Sequence, residues 1–280
     1  MKITKSSGER VEYDEEKVRQ SMLRSKAKPD VIEHVLARTK KKLHEGMTTS
    51  ELYHLIYKEL HKRDYCSACR YDLRQALFRL GPAGFKFEQY VAAILRARGG
   101  DAFLPEGDLE GACVWHEVDV VIKDGERDVM IEAKFRNDAK HYVNLKDTMA
   151  TWARYLDLQD AARMGKNTPS FDEVWIMTNA RFSDRSRQFG ACKGMKLIGW
   201  SYPKEESFEH LVDHHALYPV TSIGDLSTAE LEALARANIL LCQDMGRFSL
   251  QELIEKTALP QKRLQALVHT CQEITSVETL

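Results

Sequence analysis

The sequence predicts a mixed α/β protein in three consecutive parts: a mainly helical first segment, an α/β/α core around a mixed sheet, and a small all-helical end. Three observations predict it. Apolar residues recur at helical spacing in residues 1–80 and again beyond Leu226, two β-branched runs flank Asp124-Gly125, and Gly81-Pro82-Ala83-Gly84 interrupts the chain between the first two patterns. A chain of 280 residues with 43% hydrophobic and 30% charged residues, free of low-complexity tracts, has enough apolar material for packed domains. No apolar run approaches the ~20 residues of a membrane span and no secretion signal opens the chain, so the cytoplasm is expected and a membrane partner is not. Six cysteines are too sparse for a disulfide scaffold and are expected to stay reduced.

In the first segment, Ile3 and Lys5 lead through a turn at Ser6-Ser7-Gly8 to Val11 and Tyr13, and Asp14 is the expected N-cap of a helix holding Val18, Met22 and Leu23. Asp30 is the expected cap of a second helix with Val31, Val35, Leu36 and Leu43, and Thr49 or Ser50 of a third with Leu52, Leu55, Ile56 and Leu60. Leu73, Leu77 and Leu80 place a fourth over residues 66–80. After the Gly-Pro break, a helix from Phe85 to Leu95 precedes strands Val118–Ile122, Val129–Phe135, Val174–Thr178 and Lys196–Gly199, with helices near 145–163 and 183–191. The expected domains are 1–80, 84–203 and 222–280.

The net charge of −1 conceals a gradient. Residues 1–80 hold 18 basic against 12 acidic side chains, residues 81–202 hold 17 against 18, and residues 203–280 hold 6 against 12. A polyanion would therefore meet a local patch rather than the bulk charge, and the acidic end is expected to serve docking or dimerisation rather than DNA gripping.

The most informative stretch runs from His116 to Phe135. A two-residue Asp124-Gly125 loop sets Lys123 against Glu126, Asp119 against Met130 and Glu117 against Glu132, with Asp119 diagonal to Glu132 at ~7–8 Å. Alternation then puts Asp119, Glu132 and Lys134 on one face. Isolated carboxylates in such apolar strands are costly to bury, so a cation belongs between them. Mg²⁺, held by Asp119, Glu132 and the Ala133 carbonyl, would leave positions for a phosphate and a water, with Lys134 orienting that water. The competing reading is a salt-bridged strand surface with the acids paired to Lys134 and nearby arginines.

Asp119, twelve intervening residues and Glu132-Ala133-Lys134 resemble the PD-(D/E)xK nuclease signature, and residues 84–203 resemble its Mrr-like restriction endonuclease branch. Gly84-Phe85-Lys86-Phe87-Glu88 is similar to that family's first helix, Thr178-Asn179-Ala180-Arg181-Phe182-Ser183 to its strand-to-helix turn and Leu197-Ile198-Gly199 to its last core strand. Val118 stands where the signature has proline, and Glu132 where many members have Gln. The resemblance implies a restriction-endonuclease-like core and Mg²⁺- or Mn²⁺-dependent hydrolysis of DNA by Asp119, Glu132 and Lys134, with Glu88 assisting.

Residues 2–80 resemble the ATP-cone, a regulatory module of ribonucleotide reductases, through Ile3 to Asp14, Glu16-Lys17-Val18, Ala68-Cys69-Arg70-Tyr71 and Arg74. The resemblance implies that Lys5 and Lys17 reach the phosphates of ATP or dATP beside Ile3 and Val18. Helix N-terminal amides can add to those cations without a Walker loop, which the chain lacks. Lys5-Ser6 replaces the family's Lys-Arg pair, so one phosphate contact differs.

Together these readings give a nucleotide-regulated, divalent-metal-dependent DNA endonuclease acting as a homodimer or higher oligomer, since two strands are most simply cut by paired sites. The alternatives are a junction-resolving nuclease and a non-cleaving regulator of DNA or protein. Cys66, Cys69, Cys113 and His116 have zinc-ligand chemistry, but the first two belong to the helical segment and the others to the core, so a zinc site is not expected. The Leu226-Ser227-Thr228-Ala229-Glu230 region resembles helix-hairpin-helix modules but lacks most of their hairpin glycines.

Overall fold

The computed structural model describes residues 1–5, 8–82, 86–123, 125 and 127–276, which form two compact units, Met1–Leu77 with Tyr218–Leu280 and Phe78–Leu217. Ser6, Ser7, Ala83, Gly84, Phe85, Asp124 and Glu126 lie outside the described residues, and with them parts of the expected turn, boundary and loop.

The first unit opens with an antiparallel pair, β1 (Lys2–Thr4) and β2 (Arg10–Glu12), with Ile3 opposite Val11. Helices α1 (Glu15–Arg24), α2 (Pro29–Lys42), α3 (Thr49–Arg63), α4 (Tyr65–Tyr71) and α5 (Leu73–Leu80) follow. Asp14 caps α1 as expected, accepting from the Lys17 amide at 3.2 Å. The other two caps fall earlier than expected. Pro29, whose missing N–H makes it a natural first helical residue, moves the start of α2 ahead of Asp30, with Lys28 at the cap. Thr48, not Thr49 or Ser50, caps α3, because its hydroxyl and the Glu51 carboxylate close a reciprocal capping box. The expected fourth helix is two helices, interrupted at Asp72. Met22, Ile32, Val35, Leu36, Ile56 and Leu60 form the core.

The second unit holds α6 (Phe87–Ala97), β3 (Ala102–Phe103), β4 (Leu109–Glu110), β5 (Trp115–His116), β6 (Val120–Lys123), β7 (Asp128–Lys134), β8 (Tyr142–Val143), α7 (Leu145–Arg163), β9 (Glu173–Thr178), β10 (Arg181–Phe182), α8 (Asp184–Lys193), β11 (Lys196–Ile198) and α9 (Phe208–His214). Its five-stranded sheet has the order β11-β9-β7-β6-β3. β7, β9 and β11 run parallel while β6 and β3 are antiparallel to their neighbours, so the sheet is mixed, as expected. Met130 and Ile176 pack with Leu158 of α7 in one core, and Phe135, of opposite parity to Met130, meets Phe87 of α6 at 5.5 Å between rings. Helices thus cover both faces.

The β6–β7 register differs from the expected one. Lys123 pairs with Asp128, Val121 with Met130 and Val120 with Ile131, so four residues, not Asp124-Gly125 alone, connect the strands. Four-residue connections are among the common hairpin loops, and Gly125 supplies a positive φ of +81° within this one. Lys123 therefore does not face Glu126, nor Asp119 Met130. The shift is by two residues, and an even shift preserves the side of the sheet on which every side chain emerges.

The chain then returns to the first unit through α10 (Thr228–Arg236), α11 (Leu250–Thr257) and α12 (Gln261–Thr275). Their residues join the first segment directly. Buried Arg70 of α4 donates to the Ile274 and Glu273 carbonyls at 2.9 and 2.6 Å, and Tyr65 hydroxyl donates to Asp225 at 3.0 Å. No helix among the described residues is long and apolar enough to cross a membrane.

Candidate functional site

Two regions gather the residues singled out in the sequence, one in each unit. In the second, Asp119 immediately precedes β6, and the observed register brings it level with Glu132 rather than diagonal to it. Asp119 Oδ2 accepts from the Ala133 amide at 2.7 Å. Glu132 is 3% exposed, and cations meet both its oxygens: Lys134 Nζ at Oε1 and Arg154 Nη1 of α7 at Oε2. Asp119, Glu132 and Lys134 do share a face, the one toward α7.

Burial foremost, and then the charge of Glu132, push the Asp119 carboxyl up to about 6; the Ala133 amide and Lys134 act in the opposite sense, and the charge of Glu88 adds to the rise. Glu88, half-buried in the first turn of α6, is therefore close enough to be felt electrostatically. Among the described residues, however, no three His, Cys, Asp or Glu side chains are gathered tightly enough to hold a metal ion.

The donor chemistry fits a hard dication nonetheless. Two carboxylates level with each other supply oxygen ligands, and their mutual repulsion is what a dication relieves. For Glu132 to take part, Arg154 or Lys134 must turn away from one oxygen. Arg154 is the residue missed by sequence reasoning. It lies 22 positions from Glu132 on a helix full of other charges, and only the packing of α7 on the sheet brings it there.

Around this pair, Arg136 Nη2 bonds to Asp147 at 2.7 Å, and the Asn179 side chain bonds the Arg136 amide at 2.8 Å and carbonyl at 2.7 Å. The Thr178 hydroxyl donates to the Lys134 carbonyl at 2.6 Å. Buried Thr178 and Asn179, noted in the sequence as a strand-to-helix turn, thus fix the end of β7 that carries Lys134.

In the first unit, Ile3, Lys5, Lys17 and Val18 line one cavity of about 300 Å³, together with Tyr13, Tyr53 and Tyr71. The Tyr53 and Tyr71 rings stack at 5.5 Å and 13°, and Tyr53 hydroxyl bonds to Asp72. The Tyr13 hydroxyl is buried with no hydrogen-bond partner among the described residues. Lys5 pairs with Glu9 at 2.9 Å and Lys17 with Asp14 at 3.2 Å, both at the surface. This is an apolar, aromatic hollow with two cations at its rim.

Cys66 Sγ lies 3.6 Å from Glu273 Oε2. Burial pushes the Cys66 thiol up to about 12 and the Cys69 thiol up to about 11, which keeps both protonated. Cys113 and His116 instead serve a carboxylate: the Cys113 amide and His116 Nε2 reach Asp157 of α7 at 3.0 and 2.8 Å.

Comparison with known proteins finds family matches at both ends of the chain. The ATP cone domain family matches residues 1–74, and the family described as AF1548-like, C-terminal, matches residues 218–275. An uncharacterized protein of Archaeoglobus fulgidus is 35% identical over 167 residues, covering 59% of this chain and 89% of its own. The crystal structure of the protein of unknown function AF1548 is similar at 32% identity with a TM-score of 0.56, over 68% of this chain and 97% of that one. The chain belongs to the AF1548-like family and carries an ATP cone domain in its first 74 residues.

Proposed function

We propose that the protein is a nucleotide-responsive, divalent-metal-dependent endonuclease that hydrolyses phosphodiester bonds in DNA. The observation that carries this reading is the convergence of Asp119, Glu132 and Lys134 on one face of a helix-covered mixed sheet, in the Asp, Glu-x-Lys order of the PD-(D/E)xK nucleases. Asp119 and Glu132, with the Ala133 backbone, would hold Mg²⁺ or Mn²⁺. The metal supplies Lewis acidity at the phosphate and lowers the pKa of a water. Lys134, released from Glu132, orients that water and offsets phosphate charge; Arg154, released likewise, faces the phosphate; Glu88 adds negative charge from the α6 side.

The cone cavity is the regulatory half of the same proposal. The stacked tyrosines form a wall for a purine, the unpartnered Tyr13 hydroxyl offers a donor, and Lys5 and Lys17 stand at the rim for phosphates. ATP or dATP would act by favouring one state of the protein, including its homodimer, over another.

The test is plasmid cleavage with and without Mg²⁺ and ATP or dATP. Asp119→Ala and Lys134→Ala should each lower Mg²⁺-dependent cutting by roughly 10²–10⁴-fold, the scale of a lost general acid or base. Undiminished cutting by either variant overturns the assignment. The ion pairs on both oxygens of Glu132 favour one second reading, a nucleotide-responsive DNA binder that does not cut, marked by nucleotide-dependent DNA retention without metal-dependent turnover.

A further inference from the structure

A second feature of the α/β unit is the outer side of α7. Eight large apolar side chains are exposed among the described residues, and six of them gather here. Met149 and Leu156 belong to α7 itself, Tyr142 and Met164 stand at its two ends, and Val114 and Trp115 form the tip of a ribbon fastened to it. The inner side of the helix is already used, with Thr148, Thr151, Leu158 and Ala161 buried. A helix with apolar residues on two sides is normally covered on both, and an exposed patch of this kind marks an interaction site.

The ribbon is β4 paired with β5, Leu109 opposite His116 and Glu110 opposite Trp115. Asp157 of α7 holds its tip, accepting from the Cys113 amide at 3.0 Å, the Val114 amide at 3.4 Å and His116 Nε2 at 2.8 Å. A β-carbon on Gly111 would collide with that carboxylate, so only glycine lets it in. Helix and tip are thereby joined into one surface.

Charge decides what covers it. Residues 99–122, which include the ribbon, carry six carboxylates and no Lys or Arg, so a polyanion is repelled. Lys146, Met149, Ala153, Leu156 and Asp160 recur every three or four residues and so share one exposed face of α7. That face is complementary to itself. Lys146 stands seven residues before Ala153 and Asp160 seven after; exposed Ala150 stands three before and Leu156 three after; Tyr142 stands eleven before and Met164 eleven after. Two such helices laid antiparallel with Ala153 on the two-fold axis bring each Lys146 to Asp160 of the partner subunit and each Leu156 onto Ala150 of the partner subunit. Lys146 has no ion-pair partner among the described residues, and Asp160 has only exposed Arg163 at 2.8 Å, a pairing that exchanges at little cost. The small side chain of Ala153 lets the helix axes approach to about 8 Å, the close end of helix packing.

We propose that a second copy of this chain covers this face, α7 packing antiparallel on α7 across a two-fold axis at Ala153, with Val114 and Trp115 at the margin of the same interface. The proposal assigns a surface to the homodimer named with the nuclease reading, but it does not depend on cutting, and its test reads assembly alone. Sedimentation equilibrium of the full-length protein, with and without ATP, should show a concentration-dependent dimer. Leu156→Asp should weaken it about a hundredfold, because the two-fold axis counts each lost contact twice. Lys146→Glu and Asp160→Lys should each weaken it roughly tenfold, and the double variant K146E/D160K should return to within about threefold of wild type. Ala153→Cys, mildly oxidised, should give a dimer linked through residue 153 in mass spectrometry of digests, since a residue on the axis faces its own copy. All these positions are exposed, so the circular dichroism spectra should match that of the wild type. A wild-type monomer at every concentration up to about 100 μM overturns the proposal. So does a dimer that survives Leu156→Asp, a charge exchange that fails to recover assembly, or the absence of a link through residue 153. A dimer that passes these tests yet leaves DNA uncut with Mg²⁺ sinks the nuclease reading and leaves this one standing.

Discussion

The cone cavity and the carboxylate face handle charge in opposite ways. Lys5 and Lys17 sit at the surface, each with one neighbouring acid, around a hollow whose interior is apolar and aromatic. Glu132 is buried and shared between two cations, and Asp119 beside it is held by a backbone amide. Exposed pairs contribute ~0–1 kcal/mol and exchange readily for a better partner. A buried, multiply paired carboxylate is fixed in place and resists any rearrangement that leaves it alone. The first arrangement suits a ligand that comes and goes with its concentration, and the second keeps Glu132 neutralised until another cation displaces Arg154 or Lys134 from one of its oxygens.

Substitutions on each side test this contrast. The largest stability loss is expected from Arg154→Met, which leaves Glu132 buried with Lys134 alone; urea unfolding should show about 2 kcal/mol lost, less than the ~3–5 of a pair with no remaining partner. An unchanged midpoint would mean that Glu132 reaches water. Gly111→Ala should follow at ~1–2 kcal/mol, the strain of forcing a methyl group against Asp157 and the Val114 carbonyl. On the cone side, Lys5→Ala or Lys17→Ala should leave the melting temperature almost untouched while weakening ATP binding by a few fold in calorimetry, because each removes only an exposed cation. Equal loss of stability in these variants would erase the distinction between the two regions.

The smallest effect concerns acid. Burial works against ionisation of Asp157, but the bonds from His116 and Cys113 and from the Val114 amide outweigh it and bring the carboxyl down to about 2, below its ordinary 3.8. A depressed carboxyl adds stability that is present above the unfolded value and is lost as pH falls from about 4 toward 2. Asp157→Asn should flatten the wild-type decline in melting temperature over that interval; an identical decline in both proteins would show that the ribbon anchor is uncoupled from folding.

Much of this arrangement is legible in the sequence because its signals are local. Asp14 before an apolar-periodic run marks a helix start, and the alternation along residues 118–134 places three charges on one face whatever the turn length. Pro29 also marks a helix start, but Asp30 beside it is the stronger capping type, so the two local signals disagree by two residues about where α2 begins. The pairing register escaped because Asp-Gly is both a two-residue turn and a component of longer ones. Arg154 and Asp157 escaped for a different reason: their partners lie 22 and 41 residues away, across a helix-on-sheet contact that no spacing rule encodes. The likeness of the first segment to an ATP cone is supported by the family comparison, whereas the nuclease chemistry rests on the residues themselves.

The discontinuity of the first unit bears on how the chain is made. Arg70 emerges from the ribosome long before its acceptors, which lie 203 and 204 residues later. The α/β unit, contiguous from Phe78 to Leu217, is complete in chain order while the first unit still lacks its C-terminal helices. The surface around α4 therefore stays open through most of translation, while the contiguous α/β unit has all its residues available earlier.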